Sequence, residues 1–235
     1  MGDAPAQIGF FGKLPSHGDF VRRSLPPDLI KRWDDWLQSG LAASREALGD
    51  DWLDCYLSSP IWRFCFSAGV CGDARWIGAM MPSVDRVGRY FPLTVATRIP
   101  ASRSLFATAA EADPWFIEIE QAMLRTLEED SLAADAFAER LASIKPLDAR
   151  PAHQLTQDPQ SMEPGSFIRV PLADSAGLQD AAGTLMDAMA LRCLGTFSLW
   201  WSAGSPYVES SARVFADLPA TSLFWTLLCN DRQSG

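Results

Sequence analysis

The sequence predicts an α/β fold, and three observations carry that expectation. Apolar residues recur at three- and four-residue steps along several stretches, runs rich in aromatic and β-branched residues fall between them, and turns bearing Gly or Pro separate the runs. A length of 235 residues lets one core bury about 70% of the unfolded chain's surface, so no disulfide or metal is needed to hold it.

Residues 7–14 read as a first strand, apolar and bounded by Gly and Pro. Pro26 and Pro27 then mark the start of a helix in which Leu29, Ile30, Trp33, Trp36, Leu37, Leu41 and Leu48 share one face. Lys31, Arg32, Asp34 and Asp35 occupy the other face, as a helix lying on a sheet requires. Strands are expected at 61–70, 75–81 and 92–98, with Cys71 to Ala74 as the turn of a hairpin, together an antiparallel meander. Asp113 as N-cap and Pro114 just inside predict a helix through Glu129 that sets Phe116, Ile119, Met123 and Leu127 on one side. Ser131 is expected to cap a further helix carrying Phe137, Leu141 and Ile144.

Residues 145–166 are rich in Pro, Gln, Asp and Ser without a period, which predicts a long surface loop. FIRVPL beyond it is expected to form a short strand, and Leu178, Ala181, Ala182, Leu185, Met189 and Cys193 mark another amphipathic helix. Residues 196–202 alternate, with Phe197, Leu199 and Trp201 on one side; RVF returns the chain and SLFWTLL is expected to be helical.

Twenty Lys and Arg against 29 Asp and Glu give a net charge of -9, which repels phosphate backbones and anionic membranes. Nucleic acid is therefore not an expected partner. Five cysteines with no C-x-x-C pair, and a start that lacks basic and apolar leader regions, predict a cytoplasmic protein. No apolar stretch approaches the roughly 20 residues of a membrane span, so no membrane insertion is expected. Most of the nine tryptophans must fill the core, and an exposed one would mark a docking surface.

Two segments concentrate reactive residue types. The first, GKLPSHGDFVRR, fails as a phosphate-cradling loop because Gln7 stands where the leading glycine belongs and Leu14 follows the lysine. Ser16 lacks the flanking glycines of a nucleophile elbow, and Ser16, His17 and Asp19 are too close in sequence to form a triad. With only His17 and His153 and scattered cysteines, no metal-ligand spacing is present. The second segment, MPSVDRVGRYFPL, places Asp85, Arg86 and Arg89 on a loop between strands. One reading pairs Asp85 or Asp19 with these arginines or with Lys13, holding the two loops together. The other is an anion pocket of Lys13, His17, Arg86 and Arg89, as in a small-ligand or phosphate-binding enzyme that uses loops 13–22 and 83–89.

GFFGKLPSHGDFVRR, WDDWLQSGLAASREALG, WLDCYLSSPIWRF, GVCG and MPSVDRVGRYFPLT, with the later FSLWW and DLP, resemble the type VI secretion-associated TagF family. The resemblance covers nearly the whole chain and is strongest from Ile8 to Thr94. It implies one domain over 1–235 with a three-layer α/β/α sandwich and a mixed, largely antiparallel central sheet. It also implies a cytoplasmic accessory protein that represses assembly or firing of the secretion apparatus after translation. The implied contact is with the forkhead-associated scaffold protein, Fha, apart from the threonine kinase and phosphatase pathway. Some relatives carry a fused PP2C-type phosphatase half; this chain, ending at Gly235, is expected to lack it, so any such activity belongs to a separate protein. The resemblance brings no catalytic residues, and neither enzymatic activity, nor a cofactor, nor a metal is expected. Charge density and loop position nominate Lys13, His17, Asp19, Arg22, Ser83, Asp85, Arg86 and Arg89 as binding residues.

Overall fold

In the computed structural model, which describes residues 7–129, 131–148, 151–172 and 177–229, seven strands build a single sheet. They are β1 (Gly9–Gly12), β2 (Val21–Arg23), β3 (Trp62–Phe66), β4 (Arg75–Met81), β5 (Leu93–Ile99), β6 (Ser198–Ser202) and β7 (Ser211–Phe215). Their order across the sheet is β2-β1-β5-β4-β3-β6-β7, and every described pair is antiparallel. The expected mixed sheet is thus corrected to an antiparallel one: each neighbour in the described sheet is reached without a parallel crossover. The predicted meander is present as β3-β4-β5, with β4 and β5 in register from Arg75 opposite Ile99 to Met81 opposite Leu93.

Alternation along the strands sends side chains to two apolar clusters. Trp62, Phe64 and Phe66 of β3, Trp76 and Met80 of β4 and Trp200 of β6 join one cluster; Cys65, Ile77, Ala79, Met81, Val95 and Leu199 join the other. The first cluster is closed by α1 (Pro27–Leu48) and by a 3-10 helix at Thr221–Leu227, where SLFWTLL tightens instead of forming an α-helix. Its aromatic centre is continuous, because Trp33 contacts Trp36, Phe64, Phe66 and Trp200, and Trp36 meets Phe224 edge-on. Gly40 of α1 is needed there: a Cβ would lie 2.3 Å from the Phe224 ring. A 3-10 turn at Gly49–Asp51 and α2 (Trp52–Leu57), neither expected from sequence, carry Trp52 and Tyr56 into the same cluster.

The second cluster is covered by α3 (Leu105–Glu111), α4 (Asp113–Glu128) and α5 (Ala134–Ser143). α3 was not expected. Its N-terminal N–H groups at Leu105 and Phe106 donate to the buried Asp187 carboxylate, 2.9 and 3.1 Å away, while Ser104 caps it locally. Burial raises the Asp187 carboxyl above the ordinary range against the opposing pull of those hydrogen bonds. The expected caps of α4 and α5 shift: Ala112 precedes α4, placing Asp113 inside its first turn, and Ala133, not Ser131, precedes α5.

Asp187 belongs to α6 (Leu178–Leu194), whose buried face differs from the expected one. Of the expected residues Ala181 is buried, joined by Thr184, Asp187 and Ala188, whereas Leu178, Met189 and Cys193 are exposed. Close approach explains the rotation, because a Cβ on Gly183 would lie 2.5 Å from Ala107. Gly183 meets Ala107 of α3, while Leu178, Met186 and Met189 are turned out. Residues 167–172 form no strand: the contact at Arg169 is limited to Thr156, which supplies too few bonds for a ladder. In the described parts of the expected loop, one 3-10 turn at Pro159–Ser161 is the regular element. Seven tryptophans are buried and Trp201 and Trp225 are intermediate, so the exposed tryptophan that would mark a docking surface does not occur.

Candidate functional site

Lys13 leaves β1 one residue after Gly12, whose φ of +141° and crowding, 2.2 Å from a would-be Cβ to the Pro92 carbonyl, leave room for glycine alone. The Lys13 side chain is buried. Its ammonium lies 2.5 Å from Asp85 Oδ2, with the two side chains 6% and 0% exposed. Asp85 sits on the loop between β4 and β5, which closes on itself through the Val84–Tyr90 bridge and the Asp85 N–H to Arg89 carbonyl bond.

The Asp85 carboxylate is saturated. Oδ1 accepts the backbone N–H groups of Val87 and Arg89 at 3.0 and 2.9 Å, and Oδ2 accepts Lys13 Nζ and, at 2.7 Å, Arg89 Nε. Burial alone would raise its pKa. The hydrogen bonds from Lys13, Arg89 and Val87 outweigh burial and hold it well below the usual carboxylate range.

Further bonds tie this lock to its surroundings. Arg89 Nη2 donates to the Gly18 carbonyl, the Arg86 N–H donates to the His17 carbonyl at 2.9 Å, and Ser83 Oγ donates to the Lys13 carbonyl at 2.8 Å. Tyr56 of α2 brackets Ser83, its hydroxyl donating to the Ser83 carbonyl at 2.8 Å and accepting the Ser83 N–H at 3.0 Å. Burial pushes the Tyr56 hydroxyl pKa up, which keeps it a donor. Sequence reasoning missed Tyr56 because α2 carries no signal strong enough to place it against the loop.

The nominated residues therefore divide. Lys13, Ser83, Asp85 and Arg89 converge, and the main chains of His17 and Gly18 join them. The His17 ring is engaged elsewhere: Ser16 Oγ donates to the Leu132 carbonyl at 2.6 Å, so the His17 Nδ1–H must donate to Ser16 Oγ at 2.8 Å. Asp19 is fully exposed and 3.8 Å from Arg89. Arg22 and Arg86 are exposed, and neither side chain forms an ion pair among the described residues. Lys13 and Arg89 thus direct charge at Asp85, while the His17 ring turns to Ser16. A cleft of about 1030 Å³, lined by Trp76, Arg98 and Arg103 among others, lies apart from all eight nominated residues.

A second ionic group stands on the α4 side. Arg63 of β3 donates through Nε and Nη2 to Glu120 at 2.5 and 3.1 Å, donates through Nη1 to Asp113, and lies over the Phe116 ring. Among the described residues no group of three or more His, Cys, Asp and Glu is placed to hold a metal ion. Burial pushes the Cys55 and Cys71 thiols up to about 12, away from the reactive thiolate. No helix of the described chain is long and apolar enough to cross a membrane.

Comparison with known proteins places these loops in a family. The chain is similar to PA0076 from Pseudomonas aeruginosa PAO1, known from a crystal structure at 2.05 Å, with 35% identity and a TM-score of 0.83 over 97% of this chain and 96% of that one. The comparison with curated proteins returned no match. The sequence model described as the TagF N-terminal domain, type VI secretion system-associated, matches residues 9–144, which include both locked loops, so the chain belongs to the TagF family of type VI secretion-associated proteins.

Proposed function

We propose that this chain is a cytoplasmic repressor of the type VI secretion system that acts after translation, by contact with the Fha scaffold and without catalysis. One observation carries the reading: the densest charged cluster is a closed lock whose carboxylate already accepts four hydrogen bonds. A general base or nucleophile needs a free lone pair facing substrate. A saturated, buried carboxylate instead holds two loops in a fixed shape, which is what a contact surface needs. Lys13, Ser83, Asp85 and His17 set that shape in our reading, and Asp19, Arg22, Arg86 and Arg89 face the partner.

We read the whole chain as one domain in three layers, with the sheet between the two apolar clusters. Strand β6 pairs with β3, and Phe224 packs on α1, so the later elements complete the sheet and core begun by the earlier ones. Pull-down of the purified chain with the Fha scaffold, paired with a secretion assay after deletion, tests the function. Retention of the scaffold and increased secretion are expected; no retention and unchanged secretion would refute the reading.

A further inference from the structure

Residues 13–23 and 83–89 carry five Lys and Arg against two Asp, in a chain that holds 20 against 29. Basic charge is thus gathered on one loop pair of an acidic protein. The lock neutralises Lys13 with Asp85 beneath the surface and Arg23 pairs with Asp135, so the outer face keeps Arg22, Arg86 and Arg89 beside one exposed carboxylate, Asp19, 3.8 Å from Arg89.

Apolar groups sit among them. Phe20 is 48% exposed and Val87 65% exposed. Phe20 stacks on Phe11, meets Phe91 edge-on and has the Lys13 ammonium 5.1 Å from its ring centre, so the ring is held in place while about half of the residue stays exposed. Arg22 follows two residues later on β2 and so lies on the same strand face as Phe20. Arg86 reaches Gly18, with Nη2 3.8 Å from the position of a Cβ there, and Arg89 is 57% exposed beyond its bond to Asp85.

We propose that Phe20, Arg22, Arg86, Val87 and Arg89 form a docking face for an acidic segment of a partner protein. Carboxylates of that segment engage the guanidinium groups, and an apolar side chain packs on Phe20 and Val87. The occupant follows from charge complementarity. Guanidinium groups bind carboxylates through paired hydrogen bonds, and a fixed aromatic ring is a typical interface anchor. The charge of -9 over the whole chain repels extended polyanions at long range, which favours a short acidic peptide segment over nucleic acid or an anionic bilayer. Fixing the loops before binding also lowers the ordering cost of association. The proposal rests on the reading of this protein as a contact protein, and names the chemistry of what it contacts.

The test uses the full chain and a short fluorescein-labelled peptide with about four Asp and Glu residues around one Leu, beside a control peptide in which each acid is its amide. Anisotropy is read at about 50 and about 200 mM NaCl, where screening differs. The acidic peptide should bind about tenfold or more tightly than its amide counterpart, and weaken with salt. The double variant Arg22→Glu, Arg86→Glu should lose about tenfold of that affinity with an unchanged melting midpoint, since neither side chain holds an ion pair among the described residues. Val87→Ser, a smaller change on the same face, should weaken both peptides alike.

Equal binding of the two peptides, or full binding by the double variant, would overturn the proposal. So would capture of an oligonucleotide or of anionic vesicles as tightly as of the acidic peptide. A parallel Fha pull-down separates the two claims. A chain that holds the acidic peptide but not Fha keeps the docking face and loses the repressor reading. A chain that holds Fha equally well with and without the double variant keeps the repressor reading and loses the docking face.

Discussion

The molecule contains two ionic clusters of opposite design. Around Asp85 one carboxylate is held by two cations, and its side chain is 0% exposed. Around Arg63 one guanidinium is held by two carboxylates; its side chain is 16% exposed, and Asp113 is 71% exposed. Both groups are well bonded, but their energetic meaning differs. In the buried lock, losing one partner strands an unscreened charge, whereas water and salt take over at the open rim of the Arg63 group. Burial, more than the number of bonds, decides how much each cluster holds in place.

The largest effect should come from Asp85→Ala, which leaves Lys13 buried without its counter-charge and releases the turn at Val87 and Arg89. We expect a loss of about 3–5 kcal/mol in urea denaturation. A loss under about 1 kcal/mol would mean that the lock behaves like a surface pair and would erase the contrast.

Acid titration sharpens the contrast next. A carboxyl whose folded pKa is depressed contributes stability that is complete above its unfolded value, roughly 3.9, and is lost as pH falls toward the folded value. The stability difference between the native chain and Asp85→Asn should therefore be flat from about pH 7 to about pH 5 and shrink only below about pH 4. A difference that shrinks between about pH 7 and pH 5 would show that Asp85 is not held low in the native state.

Arg63→Ala should cost about 1 kcal/mol, because two partly exposed partners regain water, and the cost should fall as salt is added. Chemical denaturation at low and high salt measures it. The smallest effect belongs to Arg22→Glu and Arg86→Glu: no measurable change in the thermal midpoint, despite two reversed charges, since neither side chain forms an ion pair among the described residues.

The same contrast explains what was readable in advance. Helix α1 was legible because Leu and Trp residues recur on one face and all of them meet the aromatic cluster. Strand β4 was legible to the residue, since Gly and Asp before it and Pro after it punctuate the run. Helix α6 was placed correctly but its face was misjudged. Hydropathy favours Leu178 and Met189, whereas packing against α3 selects the small side of the helix at Ala181, Thr184 and Ala188. The FIRVPL segment has strand composition without a neighbour to pair with, and composition carries no information on neighbours.

At the candidate site, the pairing of Asp85 with Lys13 or an arginine was one of two readings of the charges. Which one holds depends on Lys13 being buried against Asp85, a placement that spacing does not encode. Tyr56 and its grip on Ser83 were invisible for a related reason: the contact spans 27 positions and joins a six-residue helix to a loop.

The place of β3 in the sheet has a practical consequence. The stretch matched by the family model stops at 144, yet β3 pairs on one side with β4 and on the other with β6, which lies beyond that limit. An expression fragment cut there would bare a row of backbone donors and acceptors on β3 and uncover Trp33 and Trp36, which Trp200 and Phe224 otherwise shield. Such a fragment should aggregate on release from the ribosome, so any tag or fusion junction belongs outside the span from β1 to the 3-10 helix at Thr221–Leu227.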